Sequence, residues 1–247
     1  MLVELAQIDI ELGNKEANLD KAVRIIEESN ADLILFPELF TTGFDFNNLA
    51  DLAEPLNGRT IERISDICEK SIVAGSIIED SNMWLYNTFV LIDNTGVIGK
   101  YRKIHLFDRE KHYLSAGDDI SVIGTEFGRI ALATCYDLRF PELFRRFMES
   151  DADIVLICAN FPTLRKKHWE PLIKARAIEN QFFVIACNRV GKDRVSEYFG
   201  RSIAVDPWGD VLTLGDGGEE ILRCRVDRKM VREIRKGFPV LRDIRIR

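Results

Sequence analysis

Apolar and polar residues alternate along the chain in two different periods, which predict a mixture of strands and amphipathic helices. Residues 14–29 show the helical period, and Asn14 stands where its side chain can cap the first turn. Residues 32–36 form a short apolar run. The same patterns predict strands at 2–9, 72–78, 85–93, 97–103, 121–123, 128–135, 153–159, 182–187, 201–206 and 220–226, and further helices at 60–70, 141–148, 167–180 and 227–236.

The order of these elements mixes strand–helix alternation with hairpins. A hairpin is predicted where residues 85–93 and 97–103 flank the turn Asn94-Thr-Gly96. A pure Rossmann fold or TIM barrel would alternate strands and helices more strictly. Residues 104–119 are predicted to form a polar loop, and the sequence contains no linker, repeat or low-complexity stretch. We therefore predict one α/β domain over residues 1–247, with mixed sheets covered by helices.

The composition excludes several classes of protein. Apolar residues make up 46% and charged residues 30% of the 247 residues, a globular balance, and the net charge of −6 argues against a nucleic-acid partner. No apolar run approaches the roughly 20 residues of a membrane helix, and the first residues lack the basic start of a signal peptide. The five cysteines are scattered without a CxxC pair, which disfavours disulfides and zinc. These features predict a soluble, cytoplasmic protein.

An apolar strand that runs directly into a cysteine is the best local signal of chemistry. Residues 128–134 lead into Cys135 and a polar turn, and a helix is predicted to begin at Pro141. A nucleophile at such a corner is accessible, and the amide N–H that follows it can bind an oxyanion. The alternative is a buried core cysteine, which is what we expect of the other four cysteines: Cys68, Cys158, Cys187 and Cys224.

A cysteine nucleophile needs a base and a group that balances negative charge. Glu38 follows an apolar run and Pro37, and Lys103 ends a predicted strand. Reactive groups at the ends of several strands are typical of α/β active sites, although each residue alone is also typical of a surface charge. A histidine base is an alternative that no local pattern supports for any of the three histidines: His105, His112 and His168.

Taken together, three motifs resemble the carbon–nitrogen hydrolases of the nitrilase superfamily. They are Phe36-Pro-Glu38, Lys103 and the segment from Cys135 to Glu142, with the lysine 65 positions after the glutamate and the cysteine 32 positions after the lysine. The resemblance covers nearly the whole chain. It implies a four-layer αββα sandwich and a Glu–Lys–Cys triad. It also implies assembly into a homodimer or a higher oligomer, with residues 227–247 as a helix and tail involved in assembly.

The resemblance implies a role for each group. Glu38 accepts the thiol proton of Cys135, and the thiolate attacks a carboxamide carbon. The ammonium of Lys103 and the backbone N–H of Tyr136 stabilise the negative charge that develops. Glu110 matches a second family glutamate and holds Lys103 or the leaving amine in place; its alternative is an ordinary loop carboxylate. No metal or organic cofactor is required.

The residues around the cysteine narrow the expected substrate. Tyr136 stands where nitrilases usually carry tryptophan, and the Tyr-Asp-Leu-Arg-Phe pattern resembles the omega-amidase and deaminated-glutathione amidase branch. Omega-amidases hydrolyse 2-oxoglutaramate or 2-oxosuccinamate, which carry a carboxylate remote from the amide. Arg139 is the expected partner of that carboxylate, or alternatively belongs to a structural ion pair. His105 and Phe161 are candidates to line the same pocket, or they simply pack.

Two further readings stay open at this point. One is an amidase for another small linear amide, such as deaminated glutathione or an N-carbamoyl-amine, because a few loop residues decide the substrate on a shared fold. The other is a catalytically silent binding protein. The presence of Glu38, Lys103, Glu110 and Cys135 together counts against the silent protein, since such a protein need not keep all four.

Overall fold

The structure, a computed structural model, describes residues 1–194 and 196–246. Arg247, the last residue of the segment expected to take part in assembly, lies outside the described residues. The strands are β1 Leu2–Gln7, β2 Leu33–Leu35, β3 Ile72–Ser81, β4 Trp84–Asp93, β5 Gly96–Arg102, β6 Val122–Thr125, β7 Gly128–Thr134, β8 Ile154–Ala159, β9 Phe183–Asn188, β10 Val190–Lys192, β11 Glu197–Phe199, β12 Ile203–Val205, β13 Val211–Leu214 and β14 Glu220–Arg225. The α-helices are α1 Lys15–Glu27, α2 Leu49–Leu52, α3 Arg59–Ile67, α4 Glu110–Tyr113, α5 Pro141–Glu149, α6 Lys166–Asn180 and α7 Lys229–Gly237.

Two six-stranded sheets form the centre of the molecule. The first has the strand order β14-β1-β2-β3-β4-β5 and the second has the order β13-β12-β9-β8-β7-β6. In each sheet the central strands are parallel and the outer ones antiparallel: β1, β2 and β3 run parallel, as do β7, β8 and β9. The mixed sheets predicted from the combination of hairpins and strand–helix alternation are therefore confirmed.

The alternation of side chains along the strands places the sheets face to face between helices. Leu33 and Leu35 of β2 pack in one core with Leu132 of β7, so this core lies between the sheets. Ile34, between the two leucines, faces the opposite way and packs with residues of α1 and α3. On the second sheet, Ala131 faces outward and packs with residues of α5 and α6. The result is the four-layer αββα sandwich that the resemblance implies.

Short elements account for most differences from the predicted pattern. Residues 104–119 are not a continuous loop, because Glu110–Tyr113 forms the single-turn helix α4, which is too short to show a helical period. The three-residue strands β10 and β11 and the exposed strand β13 were not predicted for the same reason. Strand β1 ends at Gln7 rather than residue 9, because its partner β14 begins at Glu220, opposite Gln7.

The end of each of four strands leads directly to the site. Glu38 follows β2, Lys103 follows β5, Cys135 follows β7 and Asn160 follows β8. The carboxyl ends of neighbouring parallel strands meet at one edge of a sheet, and face-to-face packing brings the edges of the two sheets together. Within the described part of the chain, the helices are all too short or too polar to cross a membrane.

Candidate active site

Cys135 sits at the sharp turn between β7 and α5. Its φ angle is +45°, a left-handed conformation that is unfavourable for a residue with a side chain. The buried carboxylate of Asp137 supports this turn by accepting hydrogen bonds from the backbone N–H of Thr134, at 2.8 Å, and from the hydroxyl of Tyr101, also at 2.8 Å. The surrounding structure therefore imposes the conformation that presents the thiol, as the strand-to-helix corner predicts.

The ammonium of Lys103 lies between two carboxylates. Its Nζ is 2.7 Å from Oε1 of Glu38, and 2.9 and 2.7 Å from the two oxygens of Glu110. All three side chains are buried. The sequence-predicted glutamate, lysine and second glutamate thus form one ion cluster, and neither glutamate is a surface charge.

Two asparagines hold the Glu38 carboxylate from other directions. The side-chain amide of Asn87, on β4, donates to Oε1 of Glu38 at 2.8 Å and to Oε1 of Glu110 at 3.3 Å. The backbone N–H of Asn160 donates to Oε2 of Glu38 at 3.0 Å. With Lys103 these bonds leave the carboxylate little freedom to rotate, so its orientation toward the cysteine is fixed before substrate arrives.

The neighbouring carboxylates stabilise the protonated form of Lys103. Burial of the ammonium lowers its pKa, but the negative charges of Glu110 and Glu38 outweigh that effect and raise the pKa well above its ordinary value. The pKa of Glu110 is raised, because burial and the charge of Glu38 oppose its ionisation while Lys103 favours it. The lysine therefore stays cationic over the whole working range of pH.

The Cys135 thiol interacts with the Glu38 carboxylate, and its surroundings favour the protonated form. Burial raises the pKa of the thiol well above its ordinary value, and the charge of Glu38 adds to this effect while Lys103 opposes it. A protonated thiol that donates to a fixed carboxylate is the ground state that a general base requires. The raised pKa of the thiol favours a mechanism in which Glu38 takes the proton as the sulfur attacks.

A cavity opens in front of these groups. Phe161 is buried in its wall and packs against Trp169, with ring centroids 5.0 Å apart. Tyr136 lies in the wall next to the nucleophile. The described residues lining the cavity include Glu38, Lys103, Glu110, Cys135, Asn160 and Tyr198, the phenylalanines Phe44, Phe46, Phe107 and Phe161, and the arginines Arg109, Arg139 and Arg165. The aromatic rings make much of the cavity wall apolar. The ionisable groups in the wall are the cluster around Cys135 and the guanidinium groups of the three arginines.

Arg139 lines the cavity one turn after the nucleophile. Its guanidinium carbon lies 5.2 Å from the centroid of the Phe161 ring and 6.0 Å from that of Tyr136. Its Nη2 is buried and has no hydrogen-bond partner among the described residues. No ion pair of Arg139 with a carboxylate is found there either, so the structural alternative for this residue is not supported.

His105 is placed differently from the expectation. Its ring stacks on Phe140, with centroids 3.7 Å apart, and its Nδ1 lies 2.7 Å from a carboxylate oxygen of Asp137. It is not among the described residues that line the cavity. His105 therefore packs against the nucleophile turn, which is the alternative that the sequence left open.

Several polar residues of the site were missed by the sequence argument. Asn87 lies inside a predicted strand, and Asn160 and Asp137 each read as an ordinary residue beside an element end. The hydroxyl of Tyr198 donates to Asp193 at 2.7 Å on the wall of the cavity. Only the position of Asn160, directly after the apolar run 153–159, gave a signal that could have found it.

Comparisons with known proteins agree with this geometry. The family model for carbon–nitrogen hydrolases matches residues 2–236. The chain is 39% identical to a 2-oxoglutaramate amidase of Bacillus subtilis, over 98% of this chain and 97% of that protein, and 33% identical to the mouse omega-amidase NIT2, over 98% and 94%. The crystal structure of XC1258, a CN-hydrolase superfamily protein from Xanthomonas campestris, is similar with a TM-score of 0.93 and 28% identity, over 100% and 98% of the two chains.

Proposed function

This chain belongs to the carbon–nitrogen hydrolase family, and we propose that it is an omega-amidase: it hydrolyses the terminal amide of 2-oxoglutaramate or 2-oxosuccinamate to the acid and ammonia. The observation that carries the proposal is the buried contact of Lys103 with Glu38 and Glu110, in the same cavity as Cys135. This arrangement provides a base, a nucleophile and a fixed positive charge within one cluster. The similarity to amidases supports the choice of substrate.

The first half of the reaction forms a thioester. Glu38 takes the proton of the Cys135 thiol as the sulfur attacks the amide carbon, and the carbonyl oxygen becomes an oxyanion. Lys103 and the backbone N–H of Tyr136 stabilise that negative charge. Glu38 then returns the proton to the amide nitrogen, the C–N bond breaks, and ammonia leaves.

The second half releases the product. Glu38 takes a proton from a water molecule, whose oxygen attacks the thioester carbon. The C–S bond breaks, and the proton held by Glu38 goes back to the sulfur of Cys135. Glu110 positions Lys103 throughout, because both of its oxygens accept hydrogen bonds from the ammonium.

We assign the remote carboxylate of the substrate to Arg139. The guanidinium lies in the wall of the same cavity as the nucleophile, and its buried Nη2 lacks a partner among the described residues. A buried donor without an acceptor costs about 1–3 kcal/mol, and a bound carboxylate supplies the acceptor. Phe161 and Tyr136 flank the guanidinium and would cover the carbon chain of the substrate.

Ammonia release measured over a panel of amides tests this proposal. The panel consists of 2-oxoglutaramate, 2-oxosuccinamate, deaminated glutathione, an N-carbamoyl-amine and a simple nitrile. We expect the highest kcat/KM for one of the two omega-amides. Higher kcat/KM for deaminated glutathione would support the alternative amidase, and no turnover of any member would support a silent binding protein.

Assembly and location are part of the same proposal. We propose a homodimer, supported by an exposed apolar group in which Trp208 and Phe238 pack edge to face at 5.9 Å, with Ile178 of α6 also exposed. The mass in solution should be that of two chains, and Trp208→Glu should halve it.

We also propose a cytoplasmic location, because all five cysteines are free.

A further inference from the structure

His168 contacts the substrate-binding arginine from outside the cavity. It lies in the first turn of α6 and is exposed to solvent. Its Nδ1 is 3.2 Å from Nη1 of Arg139. The histidine is not among the described residues lining the cavity, so it does not reach substrate itself. Its effect on the reaction must therefore pass through the arginine.

Only one of the two groups in this contact can donate the hydrogen bond. A guanidinium carries only donors, so the ring nitrogen facing it must be the acceptor. In this contact Nδ1 of His168 therefore accepts the hydrogen bond, and Nε2 carries the ring proton. The bond uses Nη1 of Arg139 and leaves Nη2 as the nitrogen without a partner among the described residues.

The contact also fixes the plane of the guanidinium. Phe161 and Tyr136 restrain it through their rings, and those contacts still allow it to turn about its own axis. A hydrogen bond to Nη1 removes that freedom because the guanidinium is planar and rigid. We propose that His168 is a positioning residue, which holds Arg139 so that Nη2 is free to bind the carboxylate of the substrate. This inference rests on the proposed function, in which Arg139 binds that carboxylate.

Two substitutions separate this role from a structural one. His168→Leu removes the acceptor, and His168→Asn keeps one, because Oδ1 of asparagine occupies nearly the place of Nδ1 of histidine. Since the side chain is exposed, both variants should fold as the wild type does, which thermal unfolding would check. We expect KM for 2-oxoglutaramate to rise about threefold to tenfold in His168→Leu with kcat unchanged, the effect of losing one net hydrogen bond. His168→Asn should restore KM to within about twofold of the wild type.

The methyl ester of 2-oxoglutaramate provides the control, because it is neutral and does not use the guanidinium. Its KM should be the same in the wild type and both variants. Equal changes for the acid and the ester, a fall in kcat alone, or no recovery in His168→Asn would overturn the inference.

A binding measurement keeps this test separate from the proposed function. Calorimetry with 2-oxoglutarate, the dicarboxylate product, reports carboxylate binding without turnover. If the wild type binds 2-oxoglutarate but does not hydrolyse the amide, the proposed function fails, and the same fold-change in Kd between variants still decides the role of His168. If the wild type hydrolyses the amide but its Kd for 2-oxoglutarate equals that of His168→Leu, the inference about His168 fails and the proposed function stands.

Discussion

Replacing Lys103 by methionine should destabilise the protein far more than replacing a surface cation. The side chains of Lys103, Glu38 and Glu110 are 1%, 0% and 3% exposed, so the change leaves two buried carboxylates without their ammonium. Breaking a buried ion pair in this way typically costs about 3–5 kcal/mol. The matched control is Arg59→Met, because the Arg59–Glu16 pair has a similar distance, 2.8 Å against 2.7 Å, but its side chains are 64% and 54% exposed. An exposed pair of this kind contributes at most about 1 kcal/mol.

The loss of unfolding free energy in Lys103→Met should also depend on pH. The burial of Glu110 determines whether this loss grows or shrinks as the pH rises. The pKa of Glu110 is already raised in the presence of Lys103, and loss of the ammonium raises it further. A carboxyl whose pKa is higher in the folded state than in the unfolded state destabilises the fold as pH rises through the folded pKa. The difference in unfolding free energy between wild type and Lys103→Met should therefore be larger at pH 8 than at pH 5.

Urea unfolding followed by circular dichroism measures these differences. Lys103→Met should lose about 3–5 kcal/mol at pH 8, and the double variant Lys103→Met/Glu110→Gln should recover part of that loss because only one buried carboxylate remains. Two results would show that this cluster is not a buried, charge-balanced unit. One is an equal loss of unfolding free energy in Lys103→Met and Arg59→Met, and the other is a loss that grows as the pH falls.

Three further predictions concern activity. Glu38→Gln keeps the shape of the side chain but removes the base, so kcat/KM should fall by more than about 10²-fold; a smaller loss in steady-state assays would assign the base elsewhere. Arg139→Ala should lower activity on 2-oxoglutaramate relative to its methyl ester by about 30-fold or more, since a lost buried charge pair costs roughly 2–5 kcal/mol; an unchanged ratio would make Arg139 a scaffold residue. Because burial raises the pKa of the Cys135 thiol, its alkylation by iodoacetamide should still accelerate above pH 9, beyond the ordinary thiol pKa of about 8.5; a plateau near pH 7 would contradict this.

The main elements of the fold could be predicted because their apolar periods are long. Strands such as β7 and β8 are nearly continuous apolar runs, and a helix such as α1 is long enough to show an apolar stripe. The four-residue helix α4 carries none of that signal, although it supplies Glu110. Its position depends on contacts with Lys103 and with the backbone N–H of Phe107, which lie outside any local pattern.

Site residues that directly follow a strand could be predicted from the sequence. Those whose role depends on a contact with a distant part of the chain could not. Strand ends made Glu38, Lys103 and Cys135 candidates, and the resemblance of their ordered motifs to the carbon–nitrogen hydrolases implied the cluster that the structure brings together. Asn87 could not be predicted, because its role arises from contacts with two residues distant in sequence, Glu38 after β2 and Glu110 of α4. The sequence placed His105 among the candidates to line the pocket. Its ring instead contacts the buried carboxylate of Asp137 in the nucleophile turn.

Covalent trapping tests the central claim, that Cys135 attacks the amide as a nucleophile. The protein would be mixed with a slowly hydrolysed amide, quenched in acid and analysed by intact-mass and peptide mass spectrometry. We predict an acyl adduct on the Cys135 peptide that disappears in Cys135→Ala and persists in the control Cys187→Ala, since Cys187 is buried in the core between the sheets. An adduct on Cys158 or Cys187, or ammonia release by Cys135→Ala at the wild-type rate, would contradict the account.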